Sequence, residues 1–479
     1  MIINAFCLIT LGCPKNEVDS DLIASRLLRK GWIKVDDPMM AELMVVNTCS
    51  FIANAVEDAI ELILELAELR NNSSRKLVVA GCLVARYGKS ELAKLLPEVD
   101  MFLDFGDYVD LCGFLAGNSE PVVEKGVPEE YRDFCSTMEK GYAYIKVSEG
   151  CRRKCSFCTI PSIRGPLRSR PMKHIIEEGR RLVELGAREL VLIAQDTTSY
   201  GLDIYHRPCL HLLLEKLSDM EGDYRIRVMY MHPDGLNDEI LKSMANPRVC
   251  RYLDIPFQHA NSRLLRTMGR KGSGGRFLGL LDGVREKLGD VTLRSSFIVG
   301  FPGEDREGFK DLVDFVAEAR FDWLGLFGYS QEEGTPAYCL GEGVSQRTRK
   351  DRLEELRLLQ EEIMRERAEG LIGKEYQLLI EGTSLEAPGF WEARSCREAP
   401  EVDGVVFLPG RQGLRPGVLS EAEIVASEGV DLIGRLKEWG ETDKGLEGTG
   451  YNERSKRPYR TAHSIVAGYR TFTTGRGPL

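Results

Sequence analysis

The sequence predicts an α/β protein with three folded domains: an N-terminal domain on a parallel sheet, a TIM-like partial (β/α)6 barrel and a small C-terminal antiparallel β-barrel. Strands and helices alternate through the first 130 residues, the alternation starts again at Tyr142, and short strands broken by Gly and Pro follow Lys374. Alternating elements form parallel sheets covered by helices, whereas short strands with many turns form antiparallel barrels. A chain of 479 residues has room for all three domains.

The N-terminal domain, which we place at residues 1–130, is predicted to contain three parallel strands. These apolar strands are Ile2–Leu11, Ala41–Thr48 and Lys76–Cys82. Two helices with one apolar face each lie between them, at Asp19–Lys30 and Asn54–Arg70. Such a sheet collects the loops after its strands at one edge, where α/β proteins usually bind ligands.

The central domain, which we place at residues 137–368, is predicted to form the partial barrel. Its six strands are Tyr142–Val147, Glu189–Ile193, Arg225–Tyr230, Tyr252–Ile255, Thr292–Val299 and Trp323–Tyr329. Helices such as Met172–Leu185 and Gly308–Ala319 separate them, and a charged helix at Ser345–Leu371 leads out of the barrel. Active sites of such barrels lie at the carboxyl ends of the strands.

The C-terminal barrel is placed at residues 369–436, and the polar, Gly-, Thr- and Arg-rich segment 437–479 is predicted to be disordered. The stretch Lys374–Arg435 contains eleven Asp and Glu against six Lys and Arg. A domain that grips nucleic acid should be basic, so this acidic one favours a basic protein partner.

The overall composition indicates which partners and which cellular compartment to expect. The net charge of −10 argues against a large nucleic-acid footprint. The short apolar run at the N-terminus has no basic segment before it, so we expect neither a signal peptide nor membrane association. Thirteen cysteines, an odd number scattered over a long chain, suit a reducing compartment. We therefore expect a cytoplasmic protein.

One loop carries the strongest chemical signal. Cys151, Cys155 and Cys158 have the spacing C-x3-C-x2-C, and the aromatic Phe157 precedes the last of them. Three thiolates can hold three irons of a 4Fe–4S cube, which usually takes four cysteines, so one iron stays open to a ligand. A zinc site is the alternative, but it would need a fourth ligand, and the segment 136–174 holds no further cysteine and no histidine before His174.

A second cysteine triplet is predicted in the N-terminal domain. Cys13, Cys49 and Cys82 each follow or end a predicted parallel strand, in the runs LITLGC, MVVNTC and LVVAGC. Parallel strands end at the same edge of a sheet, so the three thiols could converge on a second cluster. The alternative is that they are ordinary buried cysteines, which are common in strands.

The motifs together resemble a known family. They are LGCPKNEVDSD (11–21), NTCSFI (47–52), GCL (81–83), SEGCRRKCSFCTIPSIRGPLRSR (148–170), QDTTSYG (195–201), DIPFQHA (254–260) and FIVGFPGED (297–305). In this order they resemble the methylthiotransferases of the radical S-adenosylmethionine (SAM) superfamily, over residues 1 to about 436. The resemblance is strongest to the RimO type, which modifies an aspartate of the small-subunit ribosomal protein S-twelve.

The resemblance implies an N-terminal methylthiotransferase domain, a radical SAM barrel and a C-terminal TRAM barrel. It implies that Cys13, Cys49 and Cys82 hold an auxiliary 4Fe–4S cluster. It implies that Cys151, Cys155 and Cys158 hold the radical SAM cluster. SAM would be the cofactor, a flavodoxin or ferredoxin-type protein the reductant, and 3-methylthioaspartate the product.

Several other residues are candidates for contacts with the cofactor. They are Phe157, Gln195, Gly300 and Glu304, with Asp196, Arg168, Arg170 and His259 as weaker ones. For Phe157 loop packing is an equal alternative, for the GFPG stretch a tight turn, for the two arginines a solvated loop, and for His259 a structural role.

Two other functions stay open at this point. The tRNA branch of the family methylthiolates an isopentenyl-adenosine, and it differs in the stretches that match CPKNEVDSD and QDTTSYG here. We expect no direct tRNA binding because the C-terminal barrel is acidic. A two-cluster electron carrier is a function of another class, but such proteins are usually small and carry compact four-cysteine runs.

Overall fold

A computed structural model describes residues 4–70, 74–105, 111, 115, 134–410 and 413–437. The predicted tail therefore lies outside the described residues from 438 onward. Within the described ranges, none of the helices combines the length and the apolar character that a bilayer span requires. The α/β class and the three-part architecture are confirmed.

The N-terminal domain is built on a five-stranded parallel sheet. Its strands are β1 Ala5–Thr10, β2 Ile33–Lys34, β3 Leu43–Thr48, β4 Lys76–Gly81 and β5 Met101–Leu103. They lie in the order β2-β1-β3-β4-β5, a doubly wound order whose ligand crevice opens between β1 and β3. Apolar side chains cover both faces of this sheet. The sequence missed β2 and β5 because two or three residues give no periodic signal.

In the described part of the chain, four α-helices accompany this sheet. They are α1 Pro14–Arg29, α2 Ala53–Arg70, α3 Cys82–Tyr87 and α4 Lys89–Leu95. Helix α1 begins five residues before the predicted start at Asp19, directly after Cys13. Pro14 explains the early start, because its fixed φ suits the first turn, where its missing N–H costs nothing.

The central domain is a partial barrel of six parallel strands in two sheets. The strands are β6 Tyr142–Lys146, β9 Glu189–Ile193, β10 Arg225–Val228, β11 Tyr252–Asp254, β12 Thr292–Val299 and β13 Trp323–Gly328. One sheet has the order β10-β9-β6 and the other β11-β12-β13, and an isolated bridge from Ile226 to Val249 connects them. A two-residue ribbon, β7 Ser148–Glu149 with β8 Arg168–Ser169, closes the base of the cysteine loop.

Helices cover the outside of the barrel and bury one large apolar core. They are α5 Ile160–Ile163, α6 Met172–Glu184, α7 Leu210–Ser218, α8 Asp238–Met244, α9 Ser262–Thr267, α10 Gly274–Leu288, α11 Arg306–Ala319 and α12 Gln346–Glu369. Helix α12 packs along β13 and leads to the last domain, as the sequence predicts.

The C-terminal domain is a closed five-stranded barrel. Its strands are β14 Glu375–Thr383, β15 Phe390–Arg394, β16 Val406–Pro409, β17 Leu419–Glu428 and β18 Asp431–Leu436, in the order β14-β15-β16-β18-β17. A buried ionic joint fastens it to the central domain. The carboxylate of Glu189 accepts from Arg225, Arg227 and Arg394, and all four side chains are at most 5% exposed.

Candidate active site

The first cysteine triplet lies at one edge of the N-terminal sheet. Cys13 is the residue before α1, Cys49 follows β3, and Cys82 is the first residue of α3. Strands β1, β3 and β4 are neighbours in the sheet and run parallel, so their carboxyl ends share one edge. The edge includes the crevice between β1 and β3, where a ligand is expected in this strand order.

The three thiols are close enough to affect one another. Burial, together with the neighbouring sulfurs of Cys82 and Cys13, raises the pKa of Cys49 to about 12. Gly12 makes the approach feasible, since a Cβ there would lie 2.7 Å from Cys49 Cβ and its φ of +103° is one that glycine adopts freely. The structure thus brings together the three residues that the sequence singled out.

The second triplet lies in the loop between β7 and β8. Cys151 N–H donates to Gly165 O at 3.1 Å, and Ser156 N–H donates to Met268 O at 2.9 Å. Burial raises the pKa of Cys158 to about 12, and the sulfurs of Cys155 and Cys151 add to the rise. The loop is therefore fixed at both ends, and its three sulfurs are close together.

The glycine-rich run after Met268 supports this loop. Gly269 has φ +71°, and a Cβ there would lie 2.5 Å from the carbonyl oxygen of Lys154, inside the cysteine loop. Only glycine allows this approach of two backbones. The structure thus gives Gly269, the first residue of the run, a physical purpose.

Both triplets lie at the contact between the N-terminal domain and the barrel. Helix α5, which starts two residues after Cys158, packs against α3, which starts at Cys82. Thr159 Oγ1 donates to Phe51 O at 3.0 Å across the same contact. Both triplets thus border one interdomain space.

Arg164 is the main polar bridge across this contact. Its side chain is 1% exposed, and Nη1 donates to Asp19 at 2.9 Å and to Glu149 at 3.1 Å. Nη2 donates to Asn16 Oδ1 at 2.5 Å and lies 3.4 Å from Cys82 Sγ. A guanidinium of the barrel therefore reaches a cysteine of the first triplet. The sequence analysis missed Arg164 because nothing in the run SIRG shows that its arginine is buried.

Lys15 is the second residue that the sequence did not single out. It lies two positions after Cys13 and is buried, and its ammonium sits 3.1 Å from the centre of the Tyr230 ring at the end of β10. Burial lowers its pKa to about 8. Its position inside the motif LGCPKN was the available signal, although a first-turn lysine is usually exposed.

Most of the residues that were predicted to contact the cofactor bind or pack against other residues of this chain. Both carboxylate oxygens of Glu304 are engaged, by Arg352 Nη1 at 2.5 Å and by Gly300 N–H at 2.9 Å, with His259 Nε2 at 3.3 Å. His259 itself is fully buried and accepts two backbone N–H groups, which fits the structural alternative. Phe157 is half-buried against an apolar cluster, which fits loop packing. Whether these residues touch a cofactor stays a prediction.

The remaining residues that were predicted to contact the cofactor are Gln195, Asp196, Arg168 and Arg170. Gln195 Nε2 donates to Glu149 at 3.3 Å, and Asp196 pairs with Arg153 at 2.8 Å beside the cysteine loop. Arg170 pairs with Glu178 at 2.6 Å, so its charge is already matched, while Arg168 is exposed in the ribbon strand β8. Asp196 is thus tied to the cysteine loop through Arg153, and Gln195 to Glu149, which precedes the loop.

Among the described residues, no three His, Cys, Asp or Glu side chains are grouped closely enough to hold a single metal ion. Three buried atoms near the triplets, Asn47 Oδ1, Ser50 Oγ and Gln195 Oε1, have no hydrogen-bond partner within the described ranges. Buried polar atoms are normally bonded, so their presence suits bound ligands.

Three family models match the chain. The one described as "Uncharacterized protein family UPF0004" matches residues 5–104. The radical SAM superfamily matches residues 145–316, and the TRAM domain matches residues 372–436. The matches fall in the three structural domains in the predicted order.

Several known proteins are similar to this one over most of its length. A protein of Clostridium perfringens named ribosomal protein uS12 methylthiotransferase RimO is 38% identical, over 89% of this chain and 97% of its own. A protein of the same name from Thermotoga maritima is 43% identical, over 84% of this chain and 93% of its own. The chain belongs to the RimO family. A RimO protein of Geobacter sulfurreducens is 40% identical, over 90% of this chain and 98% of its own.

A solved structure has the same overall fold. The radical SAM methyltransferase TsrM of Kitasatospora setae, with cobalamin and a [4Fe-4S] cluster bound, aligns with a TM-score of 0.52. The alignment covers 87% of this RimO-family chain and 84% of TsrM at 16% identity. At that identity the likeness concerns the fold alone, and it confirms the arrangement of a parallel-sheet domain before a radical SAM barrel.

Proposed function

We propose that this protein methylthiolates the β-carbon of an aspartate in ribosomal protein uS12, the S-twelve protein, giving 3-methylthioaspartate. The observation that carries the proposal is that two separate cysteine triplets lie at the same contact between the N-terminal domain and the barrel. Membership of the RimO family supports the same transferase reaction.

Two 4Fe–4S clusters and SAM are the cofactors that fit this arrangement. Cys151, Cys155 and Cys158 would hold one cluster, and Cys13, Cys49 and Cys82 the other. When bound, these groups supply the radical chemistry, the sulfur and the methyl group that an unactivated carbon requires. The raised pKa values of Cys49 and Cys158 mean that these two thiols give up their protons as they bind iron.

The protein's own residues supply placement and exclusion of water. Arg164 and the carboxylates of Asp19 and Glu149 form a buried ionic joint that holds the two domains in register. The hydrogen bond from Thr159 to Phe51 O fixes the edge of the same contact. A buried interface keeps the reacting groups away from solvent, which prevents side reactions of a carbon radical.

We also propose a cytoplasmic location, a flavodoxin or ferredoxin-type reductant, and no direct binding of tRNA. Scattered reduced cysteines support the first, and the acid excess of the C-terminal barrel supports the last. An electron carrier would have no use for a barrel of six strands opposite the auxiliary triplet.

Mass spectrometry of uS12 tests the function. Cells with and without this protein are compared, and tRNA from the same cells is digested to nucleosides. We expect a methylthio mass shift on one uS12 aspartate only when the protein is present, with unchanged nucleosides. A change in tRNA with unmodified uS12 would establish the tRNA alternative instead. An electron carrier would give neither change, and it would form no 5′-deoxyadenosine from SAM and dithionite.

A further inference from the structure

Lys15 places a positive charge in the contact between the two cysteine triplets. It lies in the first turn of α1, two residues after Cys13, and only 7% of it is exposed. Its ammonium lies 3.1 Å from the centre of the Tyr230 ring, at the carboxyl end of barrel strand β10. The side chain thus points from the N-terminal domain toward the barrel's strand ends.

The protein holds Tyr230, which makes this contact, in an unfavourable backbone conformation. Its φ of +60° is an unfavourable backbone conformation for a residue with a bulky side chain. Asp254 accepts its N–H at 2.9 Å, and Thr197 donates to its carbonyl oxygen from both N–H and Oγ1. Residues held in such conformations concentrate at functional sites. The surrounding groups therefore fix the ring that Lys15 faces.

In the described part of the chain Lys15 contacts the Tyr230 ring and forms no salt bridge, and the nearby groups that favour its charge are Cys13, Asp254 and Glu149. The nearby acids are already matched. Glu149 pairs with Lys146 at 2.6 Å and with Arg164 at 3.1 Å, and Asp254 pairs with Arg294 at 3.0 Å. A buried cation without an anion is costly, and a bound anion relieves the cost.

We infer that Lys15 binds the carboxylate of the target aspartate, an inference that rests on the proposed function. The ammonium offers three donors, and charge-assisted bonds to a carboxylate are the strong ones. In aspartate the carboxyl group is attached directly to the β-carbon. Holding the carboxylate therefore fixes the carbon that reacts, and Lys15 becomes a specificity-determining residue.

The test is a double-mutant cycle between enzyme and substrate. Lys15→Met keeps the length of the side chain and removes its charge, and uS12 with the target Asp changed to Asn keeps its shape and loses the carboxylate charge. Calorimetry gives Kd for the four combinations, with anaerobically reconstituted enzyme and purified uS12. We expect either single change to weaken binding at least about tenfold and the second to add almost nothing.

Controls separate this role from structural damage and from the other carboxylate present. Lys15→Arg should recover part of the affinity, and the exposed Lys30→Met should bind like the parent. SAM also carries a carboxylate, so its Kd is measured for the same variants and should not change. Iron content equal to that of the parent shows that Lys15→Met folds.

Three outcomes would overturn the inference: unchanged uS12 affinity in Lys15→Met, penalties that simply add, or a loss of affinity for SAM in place of uS12. If Lys15→Met does not fold, the cycle is run with Lys15→Gln and Lys15→Arg on the same criteria. Failure of the proposed function looks different, because uS12 then stays unmodified with the parent enzyme itself.

Discussion

The guanidinium of Arg164 lies 3.4 Å from the sulfur of Cys82, although the two residues belong to different domains. The same guanidinium is matched by Asp19 and Glu149 on its other side. Hydrogen bonds to cysteine sulfurs tune the reduction potential of an iron–sulfur cluster. A residue of the barrel is therefore in a position to set the electronic properties of the N-terminal site.

Replacing Arg164 with Met should shift the midpoint potential of the auxiliary cluster to a more negative value, because a donor and a positive charge beside sulfur are lost. The change should also cost about 3 kcal/mol of folding free energy, because Lys146 is then the only cation that still pairs with Asp19 and Glu149. An EPR-monitored redox titration and thermal unfolding give both values. Arg152→Met, which removes an exposed charge in the cysteine loop, is the control. Equal potentials in the parent and Arg164→Met would contradict the coupling.

Alanine variants of each triplet should separate the two halves of the reaction. The reconstituted parent should contain about eight irons, four per cluster, and either triple variant about four. The variant of Cys151, Cys155 and Cys158 should lose SAM cleavage. The variant of Cys13, Cys49 and Cys82 should still form 5′-deoxyadenosine but transfer no methylthio group. Iron analysis and product chromatography measure this, and full iron in a triple variant would refute the corresponding ligand assignment.

The sequence predicted the features that depend on local pattern. The apolar strand runs gave the parallel sheet, and equivalent strand ends brought Cys13, Cys49 and Cys82 to one edge. The spacing C-x3-C-x2-C predicted the other triplet, Cys151, Cys155 and Cys158. The runs YQLLIEG, GVVFLPG and AEIVAS predicted the C-terminal strands β14, β16 and β17. Strands β15 and β18 were missed because their neighbouring Gly and Pro turns hide their short alternation.

Features that depend on contacts between domains were beyond the sequence. A buried Lys15 in a first helical turn looks like any exposed one until the barrel is placed over it. No shared spacing in the sequence pairs Cys250 with Cys396, yet their sulfurs lie 2.9 Å apart across the junction of barrel and C-terminal domain. Such pairs come from residues far apart in the chain, where periodicity carries no information.

Glu189 should be critical for attachment of the C-terminal barrel. Glu189→Ala leaves Arg225 and Arg227 buried without their carboxylate partner, and Arg394 retains only Glu381. The loss of folding free energy should be about 3–5 kcal/mol. Asp314→Asn breaks an exposed pair with Lys310 and should cost less than about 1 kcal/mol. Thermal unfolding with limited proteolysis measures both, and similar losses in the two variants would contradict a central role for the buried joint.

Glu17 should make stability depend on pH. Burial, together with the nearby carboxylates of Glu401 and Asp21, raises its pKa to about 8. Between pH of about 4.5 and 8 the folded state keeps a proton that the unfolded chain releases. The contribution of Glu17 to stability therefore falls as pH rises through that window and is lost above it.

Glu17→Gln, which has no proton to lose, should unfold at about the parent's temperature near pH 5 and about 2 °C or more higher at pH 8.5. Scanning fluorimetry at several pH values measures the difference. Glu421→Gln changes an exposed glutamate and should match the parent throughout. A constant gap between Glu17→Gln and the parent at every pH would show that the carboxyl does not titrate in this range.

The acid excess of the C-terminal barrel is smaller on its surface than its composition suggests. Several of its carboxylates are bound internally. Glu381 pairs with Arg394 at 2.6 Å, Glu398 accepts from Ser395 at 2.6 Å, and Asp403 accepts from Tyr252 at 2.6 Å. Only exposed carboxylates can attract a partner over distance. Substitutions that test the attraction must therefore avoid these internal residues, which would damage the fold instead.

Replacing the exposed Glu375, Glu386 and Glu421 with Gln should weaken uS12 binding about three- to tenfold at low salt, because the surface loses three negative charges that face a basic protein. The parent's affinity should fall as salt rises, and that of the triple variant should fall less steeply, since screening acts on the removed charges. Calorimetric titration at two salt concentrations measures both slopes. Neutralising Asp314, Glu318 and Glu362 removes three exposed charges from the barrel's outer helices and should change binding far less. If this control weakens binding as much as the C-terminal variant does, the attraction comes from the net charge of the whole protein, and the C-terminal barrel has no special part in choosing its substrate.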